Sequence, residues 1–142
     1  ESWVVGGVIG KVGSKSFLID AVRGKWDFPE QVRQIRALKL AHPYTQEILI
    51  ERKANGEAAI KTLEDEIPGI VGINPTESKE ARASAVSFVV EAGNFLMDAS
   101  SGFTQEAKDE MLSFPNGSTD DIVDMITQAL RRLYLDNTGF FV

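Results

Sequence analysis

The sequence contains no cysteine and a single histidine, His42. Without cysteine, the chain has no disulfides, no thiolate metal sites and no cysteine nucleophile. No apolar run approaches the roughly 18 residues that span a bilayer, and the N-terminus shows no signal-peptide pattern. His42 directly precedes a proline that is predicted to end a helix, which indicates a surface or capping residue. Any catalysis must therefore depend on other side chains.

Positive charge is also scarce, because 15 basic residues stand against 21 acidic ones and the formal net charge is −6. This balance argues against broad, non-specific binding of nucleic acid, which usually needs a basic surface. A nuclease remains compatible with it, since clustered carboxylates bind metal ions that neutralise them. The 142 residues, 43% of them apolar, suffice for one domain with a core. We therefore expect a single domain over residues 1–142.

Strand-like and helix-like patterns alternate along the chain. Residues 3–9 and 17–22 are β-branched or aromatic and flank a turn, which predicts a hairpin. Asp27 and Glu30 form a capping-box pattern at the start of a helix that ends at His42. The further predicted elements are strands at 48–50 and 70–73, an extended segment at 95–97, and helices at 56–67, 78–92, 104–113 and 118–133. Their order predicts an α/β fold with a mixed sheet.

Helical spacing also predicts caps and inner faces for two of these helices. Ser78 is the expected cap of the third helix and Ser118 of the last one. In the third helix the predicted inner face consists of Ala81, Ala85, Phe88 and Ala92. In the last helix the predicted inner face consists of Ile122, Ile126, Ala129, Leu130 and Leu133.

Glu51 is the first candidate for chemistry. It directly follows the apolar strand at 48–50, and open α/β sheets place their sites at the C-terminal ends of strands. A polar loop follows it and leads into a helix. The simpler interpretation is that a strand ends in a solvated polar residue, as most surface carboxylates are solvated.

Asp120, Asp121 and Asp124 are the second candidate, at the start of the last helix. Spacings of three and four residues allow them to share one side of a helical turn. A divalent cation would relieve the repulsion between them by accepting their oxygens. The alternative is that they cap the helix and complement its dipole.

A strand-end carboxylate together with a carboxylate cluster on a later helix is what a two-metal phosphodiesterase needs. In that chemistry, two ions bind the attacking and leaving oxygens, and histidine is not required. Lys53, Lys79 and Arg82 are then candidates for contacts with DNA phosphates near the site. Asn55 is a candidate for steadying the phosphate or the loop.

Four segments of the sequence resemble phage terminase large subunits. They are VRGKWDFPE at residues 22–30, IERKANG at 50–56, EAGN at 91–94 and FPNGSTDDIVD at 114–124. Their order and spacing are similar to the C-terminal nuclease domain of these packaging motors, and the resemblance covers nearly the whole chain. It implies a ribonuclease-H-like mixed β-sheet flanked by helices.

The resemblance also implies a function. Such domains cut concatemeric viral double-stranded DNA into genome lengths with two Mg²⁺ or Mn²⁺ ions. They act in the host cytoplasm, alongside a terminase small subunit and a portal protein. By position, Glu51, Asp120 and Asp121 match catalytic metal ligands of the family, and Asp124 is a nearby supporting ligand. Where the family often has a second acidic residue, after the glutamate, this chain has Arg52.

A further expectation concerns the start of the chain. The strand that carries the family's first catalytic aspartate is not found before Trp3, and neither is the upstream ATPase domain. The hairpin's first strand then corresponds to the family's second strand. We therefore expect the chain by itself to be a weak or inactive nuclease.

Two other functions remain open at this point. The first is that of a non-catalytic prophage remnant that keeps the fold and serves only for docking, for instance to a portal or to DNA. The chain is also compatible with another ribonuclease-H-like nuclease, such as a junction resolvase, in which the same carboxylates meet a branched DNA.

Overall fold

The computed structural model describes residues 3–136. In chain order its elements are β1 (Val4–Val12), β2 (Lys15–Gly24), α1 (Phe28–Ala41), β3 (Ile48–Glu51), α2 (Gly56–Leu63), β4 (Ile70–Ile73), α3 (Lys79–Glu91), β5 (Phe95–Leu96), α4 (Gly102–Ser113) and α5 (Asp121–Tyr134). The chain divides into two compact units. Unit 1 comprises Glu1–Val4 and Arg23–Thr76, and unit 2 comprises Val5–Val22 and Glu77–Val142.

Unit 1 is built on two parallel strands, β3 and β4, in which Ile48 pairs with Ile70 and Glu51 with Ile73. Parallel neighbours need a crossover connection, and α2 supplies it. The side chain of Asp27 accepts a hydrogen bond from the main-chain N–H of Glu30, so the predicted start of α1 is confirmed. Helices α1 and α2 pack together, and the core consists of Val32, Ala59, Leu63 and Ile67.

Unit 2 contains a three-stranded sheet in the order β1-β2-β5. Strands β1 and β2 are joined by the two-residue turn Gly13-Ser14, in which Gly13 has a φ of +62°. A connection this short joins antiparallel strands, so the predicted hairpin is confirmed. Strand β2 runs parallel to β5 on its other side. The sheet is therefore mixed, as predicted.

The core of unit 2 lies where α3, α4 and α5 pack together. Its buried side chains are Val86, Val89, Ala107, Ile122, Ile126 and Leu130. Of the predicted inner face of α5, Ile122, Ile126 and Leu130 are buried, and Ala129 and Leu133 are partly buried. Val123 and Thr127 are buried as well. Within residues 3–136 no helix has the length and apolar character needed to cross a membrane.

Two predicted helix ends were wrong. Helix α2 ends at Leu63 rather than at Ile67, and residues 64–66 form a turn. Three consecutive acidic residues there oppose the negative end of the helix dipole, and Pro68 disfavours a helical conformation at Ile67. Helix α5 begins at Asp121 with Asp120 in the N-cap position, so Ser118 is not its cap.

The predicted inner face of α3 was also wrong. Ser78 caps the helix as expected, but the buried residues are Arg82, Val86 and Val89, whereas Phe88 is half exposed. The buried face is displaced by one residue, or about 100° around the helix axis. Two valines bury more apolar area than alanines do, and Arg82 can follow them inward because it is paired with a carboxylate, as described below.

Candidate functional site: an aspartate cluster and a strand-end glutamate

The aspartate cluster, which comprises Asp120, Asp121 and Asp124, lies at the first turn of α5 in unit 2. Helix α3 packs against α5 and brings Lys79, its first residue, to the cluster. The start of α3 is set by Ser78, whose hydroxyl oxygen accepts a hydrogen bond from a main-chain N–H of the first turn. Local capping of α3 and packing of α3 on α5 together therefore place a cation beside three carboxylates.

The ammonium group of Lys79 lies among all three aspartates. Its Nζ donates a hydrogen bond to Asp120 Oδ1 at 2.9 Å and lies 4.0 Å from both Asp121 Oδ1 and Asp124 Oδ2. Burial tends to lower the pKa of Lys79, but the hydrogen bond to Asp120 and the charges of Asp124, Asp120 and Asp121 outweigh it and raise the pKa overall. Lys79 is therefore charged at neutral pH and partly neutralises the cluster.

Arg82 forms the second cationic contact of the cluster. Its Nη2 donates to Asp124 Oδ1 at 2.6 Å, and its Nη1 donates to the carbonyl oxygen of Glu77 at 2.5 Å. The side chains of Arg82 and Asp124 are only 7% and 12% exposed. Gln128 donates a further hydrogen bond to Asp124 Oδ2 at 3.0 Å. The contacts of Arg82, which sequence analysis offered as a DNA-binding residue, are thus to Asp124 and to a main-chain carbonyl.

Asp121 has a different environment from its neighbours. Burial raises its pKa above the usual 3.8, and the negative charges of Asp120, Glu110 and Asp124 act in the same direction, whereas Lys79 opposes them. A carboxylate with a raised pKa is destabilised in its charged form, and a cation that binds it would relieve this cost.

Capping does not explain the position of Asp120. Although Asp120 occupies the N-cap position of α5, its side chain makes no capping hydrogen bond. The main-chain N–H of Val123, in the first turn, instead donates to Glu110 Oε1 on α4 at 2.8 Å. The buried Glu110 therefore does what an N-cap side chain usually does. The carboxylate of Asp120 accepts its hydrogen bond from Lys79 instead of from the helix end.

The donor chemistry of the cluster fits a hard divalent cation, because Mg²⁺ and Mn²⁺ prefer carboxylate oxygens. In the described part of the chain, however, no three histidine, aspartate or glutamate side chains are arranged to hold a metal ion. The three aspartates are instead arranged around the Lys79 ammonium. The three carboxylates thus have the arrangement of an ion-paired cluster around a lysine.

Glu51 is the last residue of β3 in unit 1, as predicted. Lys53 Nζ lies 3.5 Å from Glu51 Oε1. The loop after β3 folds back on itself, because the N–H of Lys53 bonds to the carbonyl oxygen of Glu51 at 2.9 Å and that of Gly56 to the carbonyl oxygen of Lys53 at 2.9 Å. A Cβ at Gly56 would overlap the carbonyl oxygen of Glu51, so glycine is required there. Asn55 precedes α2 and makes no side-chain cap.

The family profile of the terminase RNaseH-like domain matches residues 2–133. The chain belongs to this family. The ribonuclease-H-like α/β fold predicted from the sequence is thereby confirmed, and the chain is a terminase nuclease-type domain. Nuclease domains of this fold generally use divalent metals, and terminase domains act on DNA within packaging motors. No curated protein sequence gives a significant match to the chain.

In the terminase domain, the predicted site residues fall into two groups. Asp120, Asp121, Asp124, Lys79 and Arg82 come together in unit 2. Glu51, Lys53 and Asn55 lie in unit 1, at the end of β3 and in the loop after it. The assignment of these residues to metal or DNA binding remains a prediction.

Sequence analysis missed Glu110 and Gln128. Gln128 was within reach, since it follows Asp124 by four residues on one helix face. The signal for Glu110 was weaker. It takes an inward position of α4, three residues after the buried Ala107, where an acidic side chain needs a buried partner. That partner is a main-chain N–H, which no sequence pattern marks.

Proposed function

We propose that this terminase domain is a metal-dependent endonuclease that cuts concatemeric double-stranded DNA by two-metal phosphodiester hydrolysis. The observation that carries the proposal is the aspartate cluster. Three carboxylates of one helix turn surround a single cationic nitrogen, and Asp120 is not used as a helix cap. Asp121, whose charged form is destabilised by burial, has a physical reason to bind a cation.

The three aspartates have unequal parts in this proposal. Asp120 and Asp121 are the more exposed pair and are assigned as metal ligands. Asp124 is nearly buried and already bonded to Arg82 and Gln128, so we assign it a supporting role that holds the first turn of α5 in place. Glu51 is retained as a proposed catalytic metal ligand because it ends β3 and matches the family's motif.

Bound Mg²⁺ or Mn²⁺ would supply Lewis acidity and a water with a lowered pKa. The chain's own residues would hold the ions and the DNA. Lys53 is largely exposed beside Glu51, and it is proposed to contact a phosphate together with Asn55. Lys79 is proposed as a further phosphate contact at the cluster. With a net charge of −6, the domain is expected to gain its DNA affinity from such local contacts rather than from a basic surface.

The test is cleavage of a supercoiled plasmid with Mn²⁺ or Mg²⁺, with EDTA as the metal-free control. Glu51→Gln and Asp121→Asn preserve side-chain shape, and each is expected to reduce the cleavage rate at least about a hundredfold, as loss of a group that stabilises the transition state does. Glu66→Gln and Asp109→Asn make the same chemical changes at exposed carboxylates outside both groups, and they should cut like the parent.

The same assay is also run with a version of the chain extended at its N-terminus. Cleavage by neither form, with either metal, would contradict the proposed activity. Binding of DNA or a portal without cleavage would then support the docking function. The position of Lys79 among the three aspartates also favours that function. The terminase family match favours packaging cleavage over junction resolution, and equal cutting of linear and branched DNA would agree with that.

A further inference from the structure

The aspartate cluster already holds two cations of its own, and these two cations differ. Lys79 and Arg82 together offset two of the three negative charges. Lys79 lies within 4.0 Å of all three carboxylates, whereas Arg82 makes its ion pair with Asp124. The ammonium of Lys79 is therefore the cation around which the cluster is arranged.

The two cations also differ in how firmly they are held. The Arg82 side chain is 7% exposed, and its guanidinium is additionally bonded to the carbonyl oxygen of Glu77. The Lys79 side chain is 34% exposed, and its observed hydrogen bond is to Asp120. Lysine carries a compact charge on a flexible four-carbon stem, whereas an arginine fork is held by its planar geometry. Arg82 is thus the fixed counter-ion and Lys79 the exchangeable one.

We propose that Lys79 is a resident counter-ion of the aspartate cluster, which a divalent cation must displace from Asp120 and Asp121 before it can bind there. This inference rests on the proposed function, since it concerns the same metal ligands. It explains why no carboxylate triad in the described residues is arranged to hold a metal ion although the donor chemistry is suitable. It also makes Lys79 a positioning residue that lowers the metal affinity of the cluster.

Displacement of Lys79 would have a second effect. Its ammonium would leave Asp120 while remaining tethered to the first turn of α3, at the edge of the cluster. There it can meet a DNA phosphate, which favours the metal-bound form when DNA is present. Metal and DNA are then expected to bind with positive coupling, and Lys79 is the residue that links them.

The test measures Mn²⁺ binding to the whole 142-residue chain, by calorimetry or by the electron paramagnetic resonance signal of free Mn²⁺, without DNA and without an activity assay. Lys79→Met keeps the length of the stem and removes the charge. It is expected to bind Mn²⁺ up to about fivefold more tightly, which corresponds to the upper end of the free energy of a partly exposed ion pair. Lys79→Arg keeps the charge and, because an arginine fork is held more firmly than a lysine ammonium, should bind Mn²⁺ no more tightly than the parent.

Lys108→Met is the matched control, because it removes the same charge from an exposed position on α4. It should leave Mn²⁺ affinity unchanged. Combining Lys79→Met with Asp121→Asn should abolish the gain, which would locate the gain at the cluster. Circular dichroism checks that each variant is folded, and Lys79→Gln replaces Lys79→Met should the latter fail to fold.

Each other result overturns the inference. Equal or weaker binding by Lys79→Met, or an equal gain in Lys108→Met, means that Lys79 does not compete for the cluster. If Asp121→Asn still weakens binding in that case, the proposed metal site stands and the counter-ion role of Lys79 alone fails. If neither the parent nor Lys79→Met binds Mn²⁺, the metal site itself fails together with this inference.

Discussion

The ion pair between Arg82 and Asp124 gives the sharpest prediction about stability. Replacing Arg82 by methionine keeps most of the apolar stem but removes the guanidinium. Asp124, which is 12% exposed, would lose the partner at 2.6 Å and keep the hydrogen bond from Gln128 and the more distant charge of Lys79. The carbonyl oxygen of Glu77 would also lose its donor.

The magnitude follows from burial. Removing one partner of a buried ion pair costs about 3–5 kcal/mol, because the remaining charge stays buried without compensation. Gln128 and Lys79 still stabilise Asp124, so we expect a loss near the lower end, about 3 kcal/mol in the free energy of unfolding. For a chain of this size that corresponds to a fall of roughly 10 °C in Tm.

The assay is urea unfolding followed by circular dichroism, with thermal scans alongside. Arg33→Met is the matched control, since Arg33 makes an ion pair with Glu30 at the same 2.6 Å but on the exposed surface of α1. We expect no measurable change in its Tm, because exposed ion pairs contribute little. Replacing both buried partners, as in Arg82→Met with Asp124→Leu, should recover part of the stability that Arg82→Met loses.

Two results would refute this reasoning. A loss from Arg82→Met no larger than that from Arg33→Met would mean that the guanidinium is not effectively buried. A double variant that loses the full sum of the two single losses would mean that Arg82 and Asp124 are not energetically coupled.

Two further predictions concern the candidate site. Asp121→Asn should raise Tm at pH 7, because burial raises the pKa of Asp121 in the folded chain above 3.8 and ionisation then costs stability as the pH rises through that folded pKa. Thermal scans from pH 7 to pH 3 should show that this gain in Tm shrinks as the pH falls. A gain in Tm that does not depend on pH would contradict the prediction. Gly56→Ala should lower the free energy of unfolding by more than about 2 kcal/mol, since its Cβ would overlap the carbonyl oxygen of Glu51. In Gly72→Ala the new Cβ meets the movable guanidinium of Arg52, so this variant should lose less stability. Equal losses of the two variants in urea unfolding would contradict the prediction.

The elements were predictable where the signal was local. The start of α1 depends on Asp27 and Glu30, which are three positions apart, and the hairpin around Gly13 depends on two neighbouring strand-like runs. Both were confirmed. The strand end at Glu51 followed from three apolar residues and a polar loop. Such signals depend on backbone preference and on period, which the order of residues contains.

The wrong predictions concern features that depend on contacts between residues far apart in the sequence. The inner face of α3 was wrong because its pattern of small and large apolar residues fits two rotations almost equally well. Arg82 turns inward because Asp124, 42 residues later, receives it. Similarly, α5 begins at Asp121 with its first turn bonded to Glu110 on another helix, and not to the hydroxyl of Ser118.

By itself, the sequence determined the α/β element order and the three aspartates on one helix turn through residue spacing. It indicated the terminase family through the resemblance of four segments. Tertiary structure alone decided what those aspartates contact. Lys79 reaches Asp120 across 41 residues of chain, and Arg82 reaches Asp124 across 42. Charges separated so far along the chain meet only after α3 and α5 have packed, and no periodicity in a sequence specifies which faces of two helices will meet.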